Sequence, residues 1–245
     1  TTEKIYHFEG TDRNGFFFRT ETGGDVNLKY QFHDEHYFMV HFFTSGYKIE
    51  ENTQKSNGLN NYVQLFLELD WTHYDGIIGR GSYLGLYYEK DFLSDTKRTQ
   101  IGAKGEHYLK PGRDQNIYLN LNYFYSFEIS RYFEERLGGN PTSYNAPLRG
   151  YETMQIPAKH AISATGEYRV SVLELFSVDL SLVPFVDLLF SSPENNQAPD
   201  KFDCSTGLGF RFYFKEVLVP AAQAYFGYSI KNKDYSIGLT VGTKF

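Results

Sequence analysis

Apolar and polar residues alternate with a period of two along nearly the whole chain, and no other feature limits its fold as severely. At the C-terminal end the rule runs without interruption: Tyr235, Ile237, Leu239, Val241, Thr243 and Phe245 against Asp234, Ser236, Gly238, Thr240, Gly242 and Lys244. Successive side chains of a strand point to opposite faces, so this period builds ribbons with one apolar face; a helix would mix the two sets. Phe202, Cys204, Thr206, Leu208, Phe210, Phe212 and Phe214 likewise oppose Asp203, Ser205, Gly207, Gly209, Arg211 and Tyr213. Between positions 116 and 130, Ile117, Leu119, Leu121, Tyr123, Tyr125, Phe127 and Ile129 oppose Asn116, Asn120, Asn122, Ser126 and Glu128. An asparagine ladder turned to hydrocarbon would leave amides unsatisfied, so the polar face reads as an interior and the apolar face as an exterior.

Turn signals divide the chain into about twelve such segments, at 14–21, 25–32, 35–47, 61–71, 79–89, 98–109, 116–130, 158–172, 176–190, 201–214, 219–229 and 234–245. The full-length segments have about the ten residues a tilted strand needs to cross a bilayer, and an even number returns both termini to one side. The expected fold is all-β, a transmembrane antiparallel β-barrel of one domain spanning 14–245, with residues 1–13 a periplasmic extension or half-strand. Short turns at Asp34, Asp75-Gly76, Pro111-Gly112 and Lys215-Glu216 fall on the side of the termini, and longer connections at 50–60, 91–97, 131–157 and 191–200 on the other. A mean hydropathy of -0.47 is compatible with this, because lumen residues dilute every strand. A soluble sandwich also alternates, but it rarely puts so many aromatics on long strands. Trp71, Tyr87, Tyr88, Tyr123, Tyr125 and Phe190 near strand ends suit interfacial girdles. A net charge of -6 without a basic block argues against nucleic acid, and the lone Cys204, on an outward position, excludes an intrachain disulfide. The first residues show no signal-peptide pattern, so a leader, which a barrel requires for export, is expected to have been removed.

The longest connection carries Leu148, Arg149, Gly150 and Tyr151. This run resembles the Val-Arg-Gly-Phe/Tyr motif on the sixth external loop of the bacterial surface antigen superfamily, which includes the barrel-assembly insertases and the two-partner-secretion transporters. Two further elements follow in the family's order. Thr165-Gly166-Glu167-Tyr168-Arg169 is similar to a strand bearing an inward glutamate, and Phe185-Val186-Asp187 to the Phe-x-Asp element of the next strand. The resemblance covers about residues 116–245 and implies that the loop 131–157 folds inward as a plug. Phe245 would be the terminal aromatic read as an assembly signal. Independently of the family, alternation directs Glu167 and Asp187 into the lumen on adjacent strands, where an inward arginine could bridge both carboxylates. The simpler alternative leaves Arg149 a solvated loop residue. Insertases and secretion pores of the family carry periplasmic POTRA domains and a wider barrel, for which these 245 residues have no room. The chain is therefore read as a compact POTRA-less member that keeps the architecture rather than the assembly activity.

Three functions compete. The first is a non-enzymatic outer-membrane barrel, porin-like or membrane-organising, forming a homo-oligomer that encloses lipid between barrels. The second is protein insertion or translocation by a reduced insertase-like barrel. The third, an enzyme, lacks a nucleophile, base and orienting group brought together: His160 and Ser163 face opposite ways, and His7, His33, His36, His41, His73 and His107 are scattered or at turns. His33 and His36 flank Asp34-Glu35, which reads as a solvated turn rather than a metal site. Expected partners are outer-membrane lipid, further copies of the chain and the barrel-assembly machinery during biogenesis; no cofactor is expected. The location would be a Gram-negative-type outer membrane with both termini periplasmic.

Overall fold

The computed structural model describes residues 2–9, 12–51, 54–75, 78–95, 97–129, 134–139, 148–152, 155–174, 178–193, 199–214 and 222–241, with backbone alone for 2–19, 54 and 75. Fifteen strands are described: β1 (Thr2–Glu9), β2 (Asp12–His33), β3 (His36–Glu51), β4 (Gln54–Asp70), β5 (His73–Asp75), β6 (Ile78–Asp91), β7 (Thr99–Gly112), β8 (Gln115–Glu128), β9 (Glu135–Leu137), β10 (Ile156–Ala158), β11 (His160–Glu174), β12 (Val178–Ser192), β13 (Lys201–Phe214), β14 (Ala222–Ser229) and β15 (Asp234–Val241). Twelve of them form one antiparallel meander in which each pairs with its neighbours in the chain, β5 adds to β6, and β9 and β10 pair with each other inside the long loop. This single-sheet order is incompatible with a two-sheet sandwich. Among the described residues no ladder joins β1 to β15.

The two faces divide as the alternation requires. Asn116, Asn120, Asn122 and Ser126 of β8 are buried on the inner face, whereas Leu121 is 56% exposed and Phe127 46% exposed on the outer. Phe202, Leu208, Phe210 and Phe212 of β13 are exposed against buried Asp203 and Ser205, and Phe226 and Tyr228 continue the apolar surface on β14. A continuous apolar surface of this extent would not stay in water uncovered. Trp71, Tyr88 and Phe190 are exposed, as girdle residues would be. Tyr87 is not: it faces inward and packs against a cluster on the plug loop.

Four boundaries differ from the sequence reading. Segments 14–21 and 25–32 are halves of one strand, since the β2–β3 ladder continues through Gly23↔Ser45 and Gly24↔Thr44. A Cβ on Gly23 would overlap the Thr44 carbonyl oxygen, so this glycine marks a close backbone approach rather than a turn. Residues 1–13 contribute β1, paired along the first half of β2, which keeps the total at twelve. Most of the connection read at 50–60 is also strand, since β3 runs to Glu51 and β4 starts at Gln54, with pairs Glu50↔Lys55 and Glu51↔Gln54. Its polar residues have the composition of a loop; Lys48 and Lys55 pair with Glu50 at 2.7 and 3.5 Å on the exposed face. The turn after β7 falls at Arg113 and Asp114, one step beyond Pro111-Gly112. Lys215-Glu216, most of the loop 131–147 and Phe245 lie outside the described residues.

Candidate functional site

Register brings the acidic residues together. β11 pairs β12 as Thr165↔Asp187 and Glu167↔Phe185, and the row continues as Asp187↔Ser205 and Ser205↔Ser229 across β13 and β14. Thr165, Asp187, Ser205 and Ser229 form a buried polar shelf on the inner face, with Glu167 one step along β11. Alternation within each strand and antiparallel pairing between strands suffice to place them so.

The loop tip descends onto this shelf. Gly139 and Leu148 bond reciprocally, N–H to carbonyl, at 3.1 and 3.0 Å, and Gly138 and Gly139 take φ of 118° and 74°, a left-handed path that a side chain would resist. Arg149 follows at the turn. Its guanidinium donates from Nε and Nη2 to the two oxygens of Asp187, at 3.0 and 2.8 Å, and from Nη1 to Glu167 Oε1 at 2.6 Å. Its backbone N–H donates to Asp187 as well, at 2.9 Å, and its charged plane lies 3.7 Å from the Phe185 ring centroid. This is the two-pronged geometry that arginine offers a carboxylate and lysine cannot. Burial disfavours the Arg149 charge, but Asp187 and Glu167 outweigh it and hold the guanidinium above its ordinary pKa. Arg149 is thus a buried ion-pair residue, not a solvated loop residue.

Two more arginines converge on Glu167. Arg169 donates to Oε2 from Nε at 2.8 Å and Arg211 to Oε1 from Nη2 at 2.9 Å. Thr165 donates to Asp187 at 3.1 Å, completing its shell. Three guanidiniums therefore share two carboxylates. Beside the ion pairs, Leu148 and Tyr151 pack with Leu137 of β9, Ala158 of β10 and the inward Phe124, Ala161 and Leu189. The Tyr151 hydroxyl donates to Asp203 at 2.9 Å, and Lys231 from the β14–β15 turn reaches the same carboxylate at 3.1 Å. Gly150 lies so close to β13 and β14 that a Cβ would come within 2.7 Å of Ser205 Cβ and the Ser229 nitrogen. The loop stem is tied to the β6–β7 connection, where Arg98 pairs with Glu89 and reaches Glu135 at 3.4 Å.

All six lock residues, Leu148, Arg149, Gly150, Tyr151, Glu167 and Asp187, are thus brought together, with Phe185 beneath the guanidinium. Arg169 and Arg211 were legible as inward charges by parity, although nothing in the sequence tied them to Glu167. Arg98 and Glu135 carried no signal, being 37 residues apart on unrelated segments. Gly227 was missed too: a Cβ there would overlap the Arg149 carbonyl oxygen. Gly227→Ala should therefore displace the loop tip while leaving every charge in place, with a stability loss of about 1–3 kcal/mol as for other overpacked sites, checked by urea unfolding in detergent. His160 packs edge-on against Tyr123 and Tyr125, while Ser163 is buried on the inner face. His33 and His36 stack at 4.9 Å, and His36 Nδ1 accepts the Asp70 N–H at 3.1 Å.

No family model and no curated protein sequence matches the chain. Solved structures do. The crystal structure of BamA from Haemophilus ducreyi lacking POTRA domains 1-3 is similar over 94% of this chain and 55% of its own, at 14% identity and a TM-score of 0.71. CdiB from Acinetobacter baumannii is similar over 91% of this chain and 42% of its own, at 14% identity and a TM-score of 0.63. The chain spans about half the length of these two structures. The likeness is one of fold: the chain shares the β-barrel fold of these two structures.

Proposed function

We propose that the chain is a non-enzymatic outer-membrane barrel whose task is to organise the membrane around it, as a homo-oligomer enclosing lipid between apolar walls. The reading is carried by one observation: the loop tip is locked onto the inner face at Asp187 and Glu167, and the loop stem is tied to Arg98. A barrel of about twelve strands is narrow before any loop enters it, so a locked plug leaves little room for solute. What such a molecule still offers is its exterior, an apolar wall exposed along β2, β8, β13, β14 and β15. A ring of these walls would enclose lipid rather than water, which favours the structural role over the porin-like one. Both termini are assigned to the periplasm, on the side of the short turns.

Mass measurement of gentle detergent extracts should give a multiple of the chain mass with co-purifying lipid, and planar bilayers should show no stable open channel. Monomers without lipid, or steady conductance, would overturn the proposal. Protein insertion is the second reading, favoured by the 73% exposure of Leu239 on β15, which pairs with no strand but β14 among the described residues. A covalent bond between the edge strands β1 and β15 should then abolish activity in an insertion assay; unchanged activity would sink that alternative.

A further inference from the structure

The outer wall carries a polar pair where hydrocarbon is expected. His107 Nδ1 and Ser82 Oγ lie 2.8 Å apart on β7 and β6, at directly paired positions of the ladder. Their parity is the outward one, shared by exposed Leu86, Tyr88 and Leu109. Ionisable side chains turned toward lipid are costly and mark function when they occur.

Next to the pair the wall is hollow. An open depression of about 540 Å³ is bordered by His107 and formed by Gly105, Leu119, Leu121, Ala164, Gly166 and Val186. Its glycines are not required by the protein's own packing. A Cβ on Gly105 would meet nothing nearer than the Leu121 carbonyl oxygen at 4.0 Å, and one on Gly166 nothing nearer than Leu119 Cδ2 at 3.9 Å. Neither residue takes a left-handed φ. Glycine weakens a strand interior and often marks the close approach of a ligand, so two unforced glycines on the floor of a hollow are informative. Arg80, two residues before Ser82 on the same strand, is exposed and makes no ion pair among the described residues. The order along the wall, from the short-turn end toward the middle, is cation, polar pair, apolar hollow.

We propose that this stretch is a binding site for one phosphate-bearing glycerolipid, with the phosphate at Arg80, an ester at the Ser82–His107 pair and an acyl chain in the hollow. The proposal rests on the reading that the outer wall meets hydrocarbon. With the Ser82 hydroxyl donating to Nδ1, the His107 proton sits on Nε2 and is offered to an ester carbonyl. A free anion would not use the hollow, and a hydrocarbon without phosphate would not use Arg80.

The test is native mass spectrometry of the full chain released from phosphate-free detergent micelles doped with equal amounts of dioleoyl phosphatidylglycerol and dioleoylglycerol. One phosphatidylglycerol per chain is expected, in preference to dioleoylglycerol. Arg80→Gln should lower its retention about fivefold, the equivalent of roughly 1 kcal/mol per basic residue at an anionic lipid surface. Gly166→Leu, or Ala164→Leu should the first variant not fold, should lower it further by filling the hollow. Equal retention by the unmodified chain and these variants, or no preference for the phosphate lipid, would overturn the site. A chain dimer lost on Gly166→Leu would also overturn it, with a second copy as occupant. The premise has its own check, because Trp71 is the chain's single tryptophan, is exposed, and is held beside the site by its backbone N–H, which donates to the Ser82 carbonyl at 2.8 Å. A chain-brominated detergent should quench its fluorescence in every variant, and no quenching would overturn the membrane reading itself.

Discussion

Arg149→Ala should lower the unfolding free energy of the barrel in detergent by about 3 kcal/mol or more, the usual cost of removing one partner from a buried ion pair. The loss is concentrated on Asp187. That carboxylate is fully buried and takes three of its hydrogen bonds from Arg149, leaving Thr165 at 3.1 Å and Ser205 at 3.5 Å as its remaining donors. Only the backbone N–H of residue 149 survives the substitution, and once the loop tip is no longer held it cannot be relied on to stay. Glu167 keeps Arg169 and Arg211 and suffers less. The double variant Arg149→Ala with Asp187→Asn should therefore recover part of the loss, since the stranded charge is gone. Urea unfolding of the four members of this cycle measures the coupling directly. Additive losses would mean that the two residues stabilise the barrel separately and that the loop is not locked through them. Arg149→Lys should rescue little, because a point charge cannot bridge both Asp187 oxygens and Glu167 at once.

Glu167→Gln should cost more, roughly 5 kcal/mol, at the upper end of the range for breaking a buried charge network. Three guanidiniums meet at this one carboxylate, from the loop, from β11 and from β13. With it neutralised they face one another across a buried site with Asp187 as the remaining acid, and only Arg149 reaches Asp187. Arg169 retains the face of Tyr118, 4.2 Å from the ring centroid. The excess positive charge makes a distinctive second-site result expected: Arg211→Gln, destabilising by itself, should stabilise the Glu167→Gln protein. Unfolding measurements that show Arg211→Gln harmful in both backgrounds would remove the charge-balance account of the lock.

The lock explains why the barrel carries a second polar centre at all. A loop crossing a lumen must bury backbone and side chains on both sides, and an apolar contact by itself would fix neither its depth nor its register. Leu148 and Tyr151 supply burial with Phe124 and Leu189, while Arg149 specifies position through directional bonds to two strands. Gly150 and Gly227 let the backbones approach closely enough for those bonds to form. The Arg98–Glu135 contact repeats the device at the β6–β7 connection with weaker geometry, at 3.4 Å.

The β character of the chain and the face of most strand residues were legible in the sequence because a period of two is a local property, whereas the count of twelve came from splitting β2 while leaving β1 out. Glu167 and Asp187 could be assigned to the lumen on that ground alone, and the short run Leu148 to Tyr151 located their partner. What failed locally failed for a physical reason. Thr22-Gly23-Gly24 has turn composition, yet the ladder to β3 holds it extended; Lys48 to Glu51 and Gln54 to Asn57 have loop composition, yet they pair as the ends of β3 and β4. The convergence of Arg169 and Arg211 on one carboxylate, the seat of Gly150 against Gly227, the Ser82–His107 pair and the hollow beside it depend on cross-strand register and on a loop folding back through the barrel. Those distances are set by pairing between residues far apart in the chain, which alternation along a single strand does not encode. The sequence determined which face most strand residues occupy, though not that of Tyr87; only the tertiary structure decided which of them meet.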